Sequence, residues 1–224
     1  LTNADINLEV DATTTIANGW EELSYNFAAA NNDKTYQKVV VFFDFGVAGT
    51  GVNYYFDDIK QSSGVESLQL PLTFQSSTLA YTFAGFGGGS SEVIDNPQMN
   101  GIDTSTKVAA STKNNGSEVW AGSSILLGSP INFAVQQKIK MKVWSPKAGI
   151  TVLLKLEKID AANPDPTNIE RSAVVTTANT WEELTFDFTG INNANNYQRL
   201  VFFFDFNVKG TGATYYFDDI NQSN

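Results

Sequence analysis

Carboxylates are the commonest side chains here able to do acid–base chemistry: 24 Asp and Glu stand against 14 Lys and Arg, with no His and no Cys. General acid and base work on a glycoside needs two carboxyl groups facing each other about 5–10 Å apart. The conspicuous acidic pairs, Glu182 with Glu183 and Asp218 with Asp219, are sequence neighbours. Neighbours on a strand point to opposite faces, so neither pair is a dyad by itself. A pair drawn from distant strands stays open. A serine nucleophile would need Lys or a carboxylate as its base, and no GxSxG-like turn occurs. Lack of Cys removes thiol catalysis, thiolate metal sites and disulfides together. No residue is therefore assigned a catalytic role, and the expectation is a protein that is not an enzyme.

The elements that would carry a binding surface are strands. In residues 197–208, Leu200, Phe202, Phe204 and Phe206 alternate with Arg199, Val201, Phe203 and Asp205, a period of two. In residues 138–143, Ile139, Met141 and Val143 alternate with Lys138, Lys140 and Lys142, and Trp144 shares the lysine parity. Strict alternation turns that Trp away from the core. Further β-branched and aromatic runs at 68–74, 79–86, 107–112, 119–127, 150–156, 169–176, 181–188 and 214–220 are separated by Gly, Asn, Ser and Pro clusters. No helical apolar stripe persists over three turns. About ten strands at this spacing predict an all-β chain with two antiparallel sheets packed as a β-sandwich of jelly-roll type.

The chain also repeats itself. WEELSYNFAAANNDKTYQKVVVFFDFGVAGTGVNYYFDDIKQ at 20–61 returns without a gap as WEELTFDFTGINNANNYQRLVFFFDFNVKGTGATYYFDDINQ at 181–222. About 25 of roughly 42 positions match, and a period of roughly 160 residues is a duplicated domain, not a solenoid unit. Residues 1–61 then read as the C-terminal half of a first module, 62–67 as a polar linker and 68–224 as a complete second module. Half a domain rarely buries enough apolar surface to stand alone, so Leu1 is expected to be a cut and not a natural start.

The phrases TWEELTFDF, YQRLVFFFDF and YYFDDI, with NPQMNGIDTSTKVA, VWAG and INFAVQQKIKMKVWSPKAGITVLLKLE before them, resemble bacterial jelly-roll carbohydrate-binding modules of families four, nine and twenty-two. They are similar to modules that Bacteroidota attach to polysaccharide-degrading enzymes and surface glycan-binding proteins. The resemblance covers 68–222 and the repeated back half. It implies aromatics that stack on pyranose faces beside polar side chains for the hydroxyls. Trp120, Trp144, Tyr81 and Phe86 are the candidate platforms, and Asp205, Arg199 and Lys142 the candidate polar partners. Trp181, Tyr215, Tyr216 and Phe217 are read as structural. The resemblance further implies a structural calcium held by the last strand's Asp219 and, where relatives have an acid in the first strand, by Gln75.

Charge bounds the partner. A net charge of -10 argues against nucleic acid and against an anionic membrane surface. No apolar run is long enough to insert in a membrane. The expectation is a monomeric, secreted or outer-surface module that binds a polysaccharide, a neutral β-glucan such as laminarin being favoured and tandem copies adding avidity. The alternative is a structural or adhesive β-sandwich without glycan binding, in which Trp120 and Trp144 are core residues.

Overall fold

The structure is a computed structural model, described here for residues 8–27, 30, 36–60, 67–159 and 168–224. Residues 1–7 and all but the last residue of the expected linker lie outside the described residues. The chain divides into two compact units, Leu1–Glu66 and Ser67–Asn224.

The second unit contains β1 Phe83–Phe86, β2 Gly89–Asp95, β3 Lys107–Lys113, β4 Gly122–Leu126, β5 Lys138–Trp144, β6 Thr151–Lys158, β7 Asn168–Val174, β8 Trp181–Asp187, β9 Tyr197–Phe203 and β10 Ala213–Ser223. One sheet runs β1-β4-β9-β6-β7 and the other β2-β3-β10-β5-β8. Every pairing is antiparallel. The two inner faces close over a core that includes Ile139, Met141 and Val143 of β5, Val152, Leu154 and Leu156 of β6, and Leu200 and Phe202 of β9. Alternation explains the sorting. The strands give every second side chain to the core and leave the others for the outer faces, except where the β10 register shifts between Asp218 and Asn221 and Ile220 follows Phe217 into the core.

Three sequence expectations change. The run at 68–74 forms no strand; only Leu72 bridges to Ile220, with both backbone hydrogen bonds at 2.9 Å. β9 stops at Phe203, because Asp205 takes φ +48° and turns the chain. That turn breaks the parity assumed through residue 208, and Phe206 joins Phe203 and Val201 on the outer face. Finally, GSSEVID forms β2 although it has few strand-favouring residues. Its full register against β3 supplies the pairing that local preference does not.

The first unit contains no strand among its described residues. Its aromatics at positions matching the second unit's core are exposed, among them Phe43, Tyr54 and Phe56.

Candidate functional site

The outer face of the β1-β4-β9-β6-β7 sheet holds a groove of about 350 Å³ lined by Phe86, Trp120, Ser124, Lys155, Glu157, Arg199, Val201 and Phe203. Its geometry follows from strand parity. Arg199, Val201 and Phe203 are the β9 residues opposite the buried Leu200 and Phe202, and Lys155 and Glu157 are their equivalents on β6. Leu153, Val201 and Phe203 pack together as a floor, with Phe86 against them.

Trp120 is the aromatic wall. It is 49% exposed, and its ring lies stacked with Phe86 at 6.2 Å and 14°. Gly87 makes this possible. At φ +63°, its missing Cβ would fall 2.9 Å from the Trp120 ring and 3.0 Å from Ala121 Cα, so any side chain there would displace the indole. The loop is further held where the Glu118 N–H donates to the Gly87 carbonyl at 2.8 Å.

The polar wall is an ion cluster. Glu157 accepts from Lys155 at 2.8 Å and from Arg199 at 3.1 Å. Burial alone would raise the Glu157 pKa, but hydrogen bonds and charge from Lys155 and Arg199 hold it below the ordinary glutamate range. Glu157 therefore stays ionised, poorly suited to donating a proton as a general acid. It is also the one carboxylate among the lining residues, whereas glycoside hydrolysis uses two across the bond. What the groove offers is a flat aromatic surface facing a row of fixed donors and acceptors.

Of the residues nominated from sequence, Trp120, Phe86 and Arg199 come together in this groove. The other four do not. Trp144 faces outward from the main core, as its parity requires, but that face is covered: it packs with Val108, Trp181 and Tyr216 and is buried. Trp181 closes this cluster by donating its indole N–H to Gln98 O at 2.7 Å. Tyr81 packs edge-on against Phe74 at the core margin. Asp205 is buried, takes the Tyr215 hydroxyl at 3.3 Å and pairs with Lys147 at 3.3 Å. Lys142 is on the other sheet, paired with Asp219 at 2.5 Å. Lys155, Glu157 and Ser124 went unnominated. The alternation of Lys155 and Glu157 with Leu154 and Leu156 is the signal that could have found two of them.

The residues nominated for calcium are engaged otherwise. The Gln75 amide donates to Thr73 O and Lys107 O at 2.5 and 2.7 Å, and its oxygen accepts from Thr106 Oγ1 and Lys107 N. Its neighbours in this corner are different. Asp103 and Asp218 are fully buried, and each has one carboxylate oxygen, Oδ2, without a hydrogen-bond partner. Ser105 lies beside both: its N–H donates to Asp103 at 2.9 Å and its hydroxyl faces Asp218. Among the described residues no set of three or more His, Cys, Asp or Glu side chains converges as a metal cluster. Two orphaned carboxylate oxygens nevertheless fit a hard cation that completes its shell with hydroxyl, carbonyl or water oxygens.

A family 11 carbohydrate-binding module of a Clostridium thermocellum cellulosomal cellulase superposes with TM-score 0.50 at 10% identity, over 71% of this chain and 95% of that one. An exo-beta-agarase structure gives TM-score 0.52 at 9% identity, over 71% of this chain but 25% of the agarase. The fold is an antiparallel jelly-roll β-sandwich. At such identities it is the jelly-roll architecture that is shared. No family model matches the chain, and no curated relative matches its sequence. Among the described residues no helix of the jelly roll is long and apolar enough to cross a membrane.

Proposed function

We propose that the second unit is a noncatalytic polysaccharide-binding module and that the groove between Trp120 and the Lys155–Glu157–Arg199 cluster is its binding surface. One observation carries the reading: an aromatic plane, half-exposed and fixed in place, lines the same groove as ion-paired donors and acceptors. A pyranose has an apolar face and a hydroxyl rim, and the groove presents a surface for each. Similarity in fold to a carbohydrate-binding module agrees with it.

A neutral β-glucan, laminarin first, is the favoured ligand. Lys155 and Arg199 are already engaged by Glu157, and a chain of net charge -10 repels polyanions at a distance. The module acts outside the cell, secreted or at the cell surface. The related sequence in residues 1–61 is read as part of a second such module, and two sites on one tether would raise affinity for a repeating polymer.

A structural calcium belongs to the same proposal, with Asp103 and Asp218 as its carboxylate ligands in place of Gln75 and Asp219. The cation would supply charge compensation for two buried carboxylates and hold the loop before β3 against β10. Calcium addition should raise the melting temperature of the chain, and Asp218→Asn should remove that rise; no rise in the parent chain would end the proposal.

The binding test is affinity gel electrophoresis of the full chain in laminarin, mixed-linkage β-glucan, xylan and alginate. Retardation by a neutral glucan is expected. Retardation by alginate alone would contradict the ligand assignment, and none at all would favour a structural or adhesive role.

A further inference from the structure

Lys113, the last residue of β3, is nearly inaccessible to solvent. A buried ammonium is unfavourable unless its donors are satisfied, and this one has three carbonyls about it: Val119 O at 3.0 Å, Asp205 O at 2.9 Å and Phe204 O at 3.4 Å. The three belong to two different segments that flank the groove. Val119 precedes Trp120, and Phe204 and Asp205 follow the groove residue Phe203. Backbone bonds run between the same segments, Asn207 N to Val119 O at 3.1 Å, Gly116 N to Gly210 O at 2.8 Å and Gly210 N to Ser117 O at 3.2 Å. The groove described above does not use Lys113, which neither lines it nor touches its solvent. Burial pushes the Lys113 pKa down, against the attraction of the Asp205 carboxylate and with added repulsion from Lys147.

We propose that Lys113 is a positioning residue for the binding groove: its ammonium clamps the Trp120 loop to the turn after β9, so that the aromatic wall is already in place when a ligand arrives. This rests on the reading of the groove as the glycan site. A preset wall spares the ligand the cost of ordering a loop. A methionine of similar length would fill the same space with no donor, taking the ammonium from Phe204 O and leaving Val119 O and Asp205 O to the amides of Asn207 and Val208 alone.

The test uses the full chain and two variants, Lys113→Met and Lys113→Arg. Amide hydrogen exchange without ligand is followed in residues 114–121 and 204–212, with β5 and β6 as internal controls, and retardation by laminarin is measured alongside. For Lys113→Met the account expects exchange in both segments to accelerate about tenfold and binding to weaken about tenfold, with β5 and β6 still protected. Lys113→Arg, which keeps charge and donors, should keep both readouts within about threefold of the parent. Unchanged exchange in Lys113→Met would overturn the proposal. If Lys113→Met does not fold, Lys113→Arg decides: a closed loop supports the clamp and an open one overturns it. If the parent chain is not retarded by any glycan, the glycan reading fails, and the exchange measurement alone then decides whether Lys113 locks the loop.

Discussion

Residues 20–60 and 181–221 have closely related sequences, yet the second copy forms strands and the first forms none among its described residues. The local features are alike. Asp44 and Asp205 turn the chain at φ +53° and +48°, and Asp58 and Asp219 at +51° and +47°. Phe43 stacks on Tyr54 at 5.1 Å as Phe204 does on Tyr215 at 5.3 Å. Tyr54 donates to Asp44 as Tyr215 donates to Asp205, and the Glu21 carboxylate takes the amides of Thr15 and Ile16 as Glu182 takes those of Thr176 and Thr177. What differs is the ladder. In the second unit β9 lies between β4 and β6, and β10 between β3 and β5; all four of those neighbours come from residues 107–158. Turns and stacks are thus written in the back-half sequence, whereas strand pairing and burial are conferred by the front half, in line with the general dependence of strands on their partners.

The largest effect should come from making one substitution in both copies. Phe217 is fully buried and its equivalent Phe56 is 57% exposed. Phe217→Ala should cost about 3–5 kcal/mol of unfolding free energy, while Phe56→Ala stays within about 0.5 kcal/mol of the parent. Denaturant titration separates them, and equal losses would break the comparison. Gly87 comes next. It belongs to the front half, which the first copy does not show, and Gly87→Ala meets both a positive φ and the Trp120 ring. The expected loss is about 1–2 kcal/mol, together with weakened retardation by laminarin; full retention of binding would show that the indole need not lie where it does.

The third effect is one of pH. Burial, against opposing hydrogen bonds from Asp219 and Ser105, pushes the Asp218 carboxyl up to about 7, against about 3.9 for an unfolded aspartate. Between those values the folded chain holds a proton that the unfolded chain has released, so without calcium this group's contribution to stability falls as pH rises through the window. Asp218→Asn should flatten the melting-temperature profile there in the presence of a chelator. Asp57→Asn, at the exposed equivalent, should leave it as it was; a flattening by Asp57→Asn would place the effect outside the buried corner.

How much of this was readable in the sequence follows the same division. Parity assigned Leu200 and Phe202 to the core and Arg199, Val201 and Phe203 to the groove face, because alternation is local. It failed at Asp205, where a left-handed residue ends the strand and no composition signal marks the turn. For Trp144 the direction was right and the exposure was not, since the cover comes from Trp181, Val108 and Tyr216, all distant in sequence. The grouping of Trp120 with Phe86 depends on close approach at Gly87, a tertiary fact. The pairing of Glu157 with Arg199 depends on β6 lying beside β9, which repeat analysis and periodicity do not specify.

Two tryptophans test the central claim most directly. Trp20 is 72% exposed in the first copy and Trp120 is 49% exposed in the groove of the second, so an exposed indole alone would favour Trp20. The measurement is laminarin binding by calorimetry for the full chain carrying Trp120→Ala or Trp20→Ala. The account predicts loss of binding for Trp120→Ala and parent-like affinity for Trp20→Ala. Binding that survives Trp120→Ala, or disappears with Trp20→Ala, would contradict the assignment of the groove.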